Sequence, residues 1–222
     1  MMHFVRAAGV CCSFTALVTT PACESRSSAT APSRLSAGSS PATRRVVVLG
    51  DSLATYPSNE KSFPAVLQRR MSAGSLPWKI ANAGVSGDTT SGGLTRLDPL
   101  LGDDVGVLVL ALGANDGLRG VDLAIIERNL STITERVQAR GIRVLLCGME
   151  TPPWRSWDYS VEFHRLFPRL AAKYDVPLVP FLLAGVALNP DLNGSDGIHP
   201  NAAGAQRIAD TVWPYLEPLL RD

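Results

Sequence analysis

Arg45-Val-Val-Val-Leu49, followed at once by Gly50-Asp51-Ser52-Leu53, is the stretch on which the reading of the fold turns. A strand with water on one face alternates apolar and polar residues, whereas a strand covered on both faces reads as a continuous apolar run. Val46 to Leu49 is such a run, and the Gly-Asp-Ser that ends it is turn and helix-start chemistry. Strand, sharp turn, helix is the opening half of a βα unit.

Downstream the same grammar repeats. Trp78 to Asn82, Val105 to Leu112, Ile142 to Cys147 and Pro177 to Val179 are further short apolar runs. Between them lie stretches of helical period at Phe63 to Ser72, Thr90 to Leu101, Asp122 to Arg140 and Tyr159 to Tyr174, with Asn201 to Leu220 closing the chain. Asp122 is placed to cap the third helix and Gly141 to end it in a left-handed conformation. Pro168 and Pro214 are expected to kink or split the helices that contain them. The expectation is an α/β fold, one doubly wound unit over residues 44–222 with a five-stranded parallel sheet between two helical layers.

Upstream the composition changes. Residues 1–23 have the three parts of a secretory signal: His3 and Arg6 in front, the apolar stretch Ala7 to Val18 broken by Gly9, Ser13 and Thr15, then small residues up to Cys23. That stretch is too short to span a bilayer, so no transmembrane helix is expected in the mature chain. Ala22-Cys23 before a polar tether resembles a bacterial lipobox, with Thr20 where Leu is usual. A lipid-anchored product tethered to a membrane through Cys23 and a soluble periplasmic or secreted one both stay open. Residues 24–43, dominated by Ser, Ala, Thr, Pro and Gly, bury too little to offset their ordering entropy and read as a flexible linker.

Across 222 residues the hydrophobic share is 45% and the formal net charge +1, enough apolar material for one core and no bulk charge to hold a polyanion. Nucleic acid is therefore not an expected partner. With Cys11 and Cys12 in the signal and Cys23 at its end, Cys147 is alone in the folded part, and its apolar setting makes it a small buried hydrophobe rather than a nucleophile.

Ligands of open α/β sheets bind beyond the carboxyl ends of the strands, and the residues there are rich in chemistry. After the first strand come Gly50-Asp51-Ser52-Leu53, after the second Asn82-Ala83-Gly84, after the third Gly113-Ala114-Asn115-Asp116, and before the last helix Asp196-Gly197-Ile198-His199-Pro200. Ester hydrolysis needs a nucleophile, a base, a carboxylate to orient the base, and donors for the developing oxyanion. Of the two histidines beyond the signal, His164 lies in a helical stretch where a structural or surface role is the commoner one. His199 follows Asp196 by three residues in a turn able to bring imidazole and carboxylate together.

Each signal also has a plainer reading. Asp51-Ser52 is a common helix cap, Asp196 to Pro200 an ordinary helix start, Gly84 a simple turn and Asn115 an Asx cap. Gly87-Asp88-Thr89 repeats the Gly-Asp-hydroxyl pattern and is assigned to capping the helix at Thr90. Four polar signals at the proper ends of four elements weigh against coincidence.

On these four blocks the chain resembles the SGNH or GDSL hydrolases over nearly all of residues 45–222. Ser86-Gly-Asp-Thr89 and Asn115-Asp-Gly-Leu-Arg-Gly120 make it look closest to the bacterial arylesterase, lysophospholipase and thioesterase I branch. The resemblance implies a flavodoxin-like sheet, Ser52 as nucleophile, Asp196 and His199 as its partners, and an oxyanion hole from Ser52, Gly84 and Asn115. It implies no metal or organic cofactor, and a small-molecule or lipid ester as substrate. Residues 149–159, with Pro152, Pro153 and several aromatic rings, fall where this branch varies; an acyl-pocket wall and ordinary loop packing both fit. Two rivals remain: a carbohydrate deacetylase or acyltransferase with the same triad, and a non-catalytic or nucleotide-binding flavodoxin-like module. The absence of a phosphate-binding glycine loop counts against the second.

Overall fold

The computed structural model describes residues 43–151 and 154–221. Five strands, β1 (Arg44–Gly50), β2 (Trp78–Gly84), β3 (Val105–Ala111), β4 (Arg143–Cys147) and β5 (Leu178–Val179), form one parallel sheet in the order β2-β1-β3-β4-β5. Among the described residues, α1 (Phe63–Ala73), α2 (Thr90–Thr95), α3 (Ala114–Arg119), α4 (Leu123–Gln138) and α5 (Trp157–Tyr174) lie between the strands, and α6 (Ala202–Arg221) follows the last of them. Helix α1 packs on α6, and α2 and α5 pack on α4, which gives the sheet a helical layer on each face.

The central strands carry the apolar runs that demanded two-sided cover: Val46 to Leu49 and Val107 to Leu110 are at most 1% exposed. Helix α4 answers with Ile126, Leu130, Ile133 and Val137, one buried residue per turn, and α5 with Phe163, Leu166, Phe167 and Leu170. At the amino edge of the sheet, the indole of Trp78 donates to the carbonyl of Leu220 at 3.0 Å, holding the end of α6. A β-carbon on Gly106 would stand 2.7 Å from that ring, so the strand position beside it has room for glycine alone.

Asp122 caps α4 by accepting from the amide of Ala124 at 2.8 Å, and Gly141 is left-handed with φ +70°, as expected. Other expectations are corrected. Of the two outcomes expected of Pro168 and Pro214, kinking or splitting, splitting does not occur: α5 and α6 run on through them and through Pro218, each proline lying on the exposed side of its helix. The helix expected over Thr90 to Leu101 stops at Thr95 and resumes as a 3-10 turn, Asp98–Leu100; Pro99 has no N–H to give the carbonyl four residues back, that of Thr95, and its ring would crowd it. Between Gly113 at φ 121° and Gly120 at φ 67° the chain forms α3, which periodicity did not reveal. Residues 1–23, most of the 24–43 segment, Pro152 and Pro153 lie outside the described residues. Among those described, no helix is long and apolar enough to cross a membrane.

Candidate active site

Strand β1 delivers Gly50 to the carboxyl edge of the sheet, and the chain turns immediately into a 3-10 helix, Ser52–Ala54. The residue that caps this turn is Asp51, whose Oδ1 accepts from the amide of Leu53 at 2.9 Å. Ser52 is thereby released from the capping role: its Oγ lies 2.8 Å from Nε2 of His199. Its carbonyl accepts from the amides of Thr55 and Tyr56, both at 3.0 Å, and from Oγ1 of Thr55 at 3.1 Å. As the first residue of the turn, Ser52 has an N–H without an intrahelical acceptor.

The loop before α6 supplies the other two groups. Nδ1 of His199 stands 2.6 Å from Oδ2 of Asp196, while Oδ1 of the same carboxylate accepts the amides of Ile198 and His199 at 3.0 Å each. Asp196 therefore caps the turn with one oxygen and meets the His199 ring with the other. The bond from the His199 ring, then those two amides, keep the Asp196 carboxyl well below the usual carboxylate range. Gly197 turns the loop at φ +69°, and the amide of Gly194 donates to the carbonyl of His199 at 2.8 Å. The helix start itself is capped by Asn201, through Oδ1 to the amides of Ala203 and Gly204.

Gly84 and Asn115 flank the Ser52 turn. A β-carbon on Gly84 would lie 2.8 Å from Cγ2 of Thr55 and 2.9 Å from the carbonyl oxygen of Asp51, so glycine is required there by the turn itself. The Gly84 amide donates to Oδ1 of Asn82 at 3.1 Å, and the Asn115 side-chain amide to Oδ2 of Asp51 at 3.1 Å. Asn115 retains a second amide hydrogen; the single hydrogen of Gly84 has to be shared or exchanged when a ligand oxygen arrives. Asp51 is fully buried, and desolvation pushes its carboxyl up to about 6 against the bonds from Leu53 and Asn115.

Three contributors escaped the sequence reading. Arg96 spans the tips of two strands, donating to the carbonyls of Ala83 at 2.6 Å and Gly50 at 2.9 Å while its Nε pairs with Asp88 at 2.7 Å. Asp116 is buried and accepts both the amide and the hydroxyl of Thr90, tying α3 to α2. The ring of Tyr56 stacks on His199, with centroids 4.0 Å apart and planes 16° from parallel. No spacing in the chain announces any of these. Gly87-Asp88-Thr89 is a capping turn as read, Thr89 accepting from Gly92, and His164 pairs with Glu150 at 2.6 Å on an exposed part of α5. Among the described residues no group of three or more His, Cys, Asp or Glu is placed to hold a metal ion.

A parallel α/β sheet with hydroxyl, imidazole and carboxylate in hydrogen-bonded series at its carboxyl edge describes an ester hydrolase of the serine type. The sequence profile of the GDSL-like lipase/acylhydrolase family matches residues 48–207, and the chain belongs to that family. It is 38% identical over 182 residues to "Esterase TesA" of Pseudomonas aeruginosa, covering 81% of this chain and 90% of that one. It is also 38% identical over 180 residues to "Arylesterase" of Vibrio mimicus, covering 80% and 90%. Among solved structures, a crystal structure of TesA superposes with TM-score 0.76 at 37% identity, covering 79% of this chain and 99% of that one. That of the esterase EstA from Pseudoalteromonas sp., inhibited by monoethylphosphonate, gives 0.75 at 29% identity, covering 81% and 100%. The chain is a carboxylic ester hydrolase, and the flavodoxin-like α/β architecture expected from its sequence is the one it has.

Proposed function

We propose that this chain is an exported serine esterase that works through an acyl-enzyme on Ser52. The observation that carries the reading is the unbroken series from Asp196 Oδ2 to His199 Nδ1 at 2.6 Å and from His199 Nε2 to Ser52 Oγ at 2.8 Å. His199 takes the hydroxyl proton as Ser52 attacks the ester carbonyl, and Asp196 holds the ring in the tautomer that leaves Nε2 free to accept. The oxyanion is received by the amides of Ser52 and Gly84 and by the free hydrogen of the Asn115 amide. Collapse breaks the ester bond, His199 returns its proton to the departing alkoxide, and a water activated by the same imidazole then releases the acid.

Aryl esters of short to medium acyl chains are the proposed substrates, with lysophospholipids and thioesters of the same branch, in keeping with a relative in Escherichia coli named "Thioesterase 1/protease 1/lysophospholipase L1". Residues 1–23 are proposed to be the export signal, residues 24–43 a spacer, and 44–222 the hydrolase domain. The product is periplasmic or secreted, with Cys23 as the point of lipid attachment if it is anchored. Reaction with a fluorophosphonate probe and peptide mapping tests the mechanism: the adduct is expected on Ser52, and an adduct on any other residue overturns it. Mass spectrometry of the mature N-terminus tests export, since a chain that still begins at Met1 would contradict it.

A further inference from the structure

Three neighbours define the surroundings of the His199 ring, and two belong to the proposed mechanism: Asp196 at Nδ1 and Ser52 at Nε2. Both act in the plane of the ring. The third is Tyr56, whose ring lies against its face at a centroid distance of 4.0 Å and an angle of 16°. We propose that Tyr56 is a positioning residue for the esterase reaction, fixing the tilt of the His199 ring and facing the charge that ring gains as Ser52 attacks with a stacked aromatic face. The inference rests on the reading of Ser52 and His199 given above.

The local structure makes this contact part of the nucleophile turn. The amide of Tyr56 donates to the carbonyl of Ser52 at 3.0 Å, and the Thr55 amide and hydroxyl converge on the same oxygen. The turn that presents the Ser52 hydroxyl therefore also presents the Tyr56 ring, so nucleophile and aromatic wall are set by one carbonyl. His199 comes from the far end of the sequence on a loop, and its orienting carboxylate has a side chain that is 43% exposed. Water competes for such a carboxylate as it does not for a buried one, and two in-plane bonds do little to resist tilting. A stacked ring supplies the missing restraint.

Stacking also discriminates between protonation states. The face of a phenol ring carries the negative part of its quadrupole and attracts a cation held over it more than the neutral group. His199 becomes an imidazolium as Ser52 attacks, so the contact strengthens along the reaction and helps k more than ground-state binding. The charged groups facing His199 are Asp196 on its own loop and Asp51 at the end of β1, and a change at Tyr56 leaves both in place. Tyr56 is 38% exposed, so the core does not depend on it.

The test compares Tyr56→Phe with two non-aromatic variants, Tyr56→Leu and Tyr56→Met, in the full chain, by steady-state hydrolysis of an aryl acetate across the pH range. Thermal melts accompany the kinetics, and either non-aromatic variant that melts with the wild type carries the comparison. Phe keeps the stack and is expected within about twofold of wild type at every pH. The non-aromatic variants are expected to lose about five- to tenfold in kcat with KM little changed. A wild-type rate in the non-aromatic variants overturns the inference, as does a Phe variant that falls as far as they do. Fluorophosphonate labelling of the wild type in the same preparation separates the two levels: label on Ser52 with an unchanged Leu rate defeats this inference alone, whereas no label on Ser52 defeats the parent reading and this one together.

Discussion

The Asn115 side-chain amide donates to Oδ2 of Asp51 across 3.1 Å, joining the start of α3 to the end of β1 directly beside Ser52. Asp51 is an acid out of water: its carboxyl is raised from 3.8 to about 6, chiefly by desolvation. Between those two values the folded chain binds more protons at this site than the unfolded chain, so the stability it contributes is fully present below 3.8 and lost as pH rises through about 6.

The size of that loss is about 3 kcal/mol for a shift from 3.8 to about 6. Asp51→Asn removes the titrating group. Its stability relative to wild type is expected to improve as pH rises through this window, by up to that amount. Denaturant melts of both proteins at about pH 4 and about pH 8 measure it, and a gap that stays constant would contradict the role given to burial.

Asn115→Ala removes the proposed oxyanion donor and, in the same stroke, one of the bonds that lowers the Asp51 carboxyl. A loss on the order of 10² to 10³ in kcat for an aryl ester is expected, with KM changed much less. Turnover within a few-fold of wild type would show that the amide serves Asp51 only.

Gly84→Ala places a β-carbon 2.8 Å from Thr55 Cγ2, 2.9 Å from the Asp51 carbonyl oxygen and 3.0 Å from the Ala54 Cβ. Two of the three are not flexible side-chain ends, so the Ser52 turn has to move. About 1–3 kcal/mol of stability should be lost, together with most of the fluorophosphonate reactivity. Full reactivity in a folded variant would dissociate the turn geometry from the reactivity of Ser52.

Cys147 is fully buried in β4, and desolvation pushes its thiol up to about 12. Since the thiolate is the reactive form, the native protein should leave Cys147 unmodified by iodoacetamide at neutral pH, with alkylation appearing only on unfolding. Peptide mapping distinguishes it from the N-terminal cysteines, and rapid modification in the native state would be the contrary result.

Where the sequence was legible, one residue's environment was dictated by its neighbours in the chain. Val46 to Leu49 has no polar residue to show water, so it had to be a doubly covered strand, and Asp122 and Gly141 mark α4 by rules that act within one turn. The helix over Thr90 to Leu101 was overdrawn because a proline one turn past its end outweighs periodicity. Helix α3 was missed because six residues between two glycines hold less than two turns of pattern. That the prolines of α5 and α6 leave their helices unsplit goes with their place on the exposed side, a tertiary property.

The candidate site divides along the same line. Ser52, Gly84, Asn115, Asp196 and His199 were named from the sequence because each stands at a strand end or turn whose local chemistry is legible, and because together they resemble one family. That Asp51 rather than Ser52 caps the turn, that Asn115 leans on Asp51, that Arg96 bridges Gly50 and Ala83 and that Tyr56 covers His199 came only with the three-dimensional structure. Hydrophobic pattern and turn propensity act between residues a few positions apart, so the chain alone determines its elements and the points where they end. Hydrogen bonds and ring contacts such as that of Ser52 with His199, 147 positions apart, act over a few ångströms of space. They exist only after the sheet has brought those ends to a common edge.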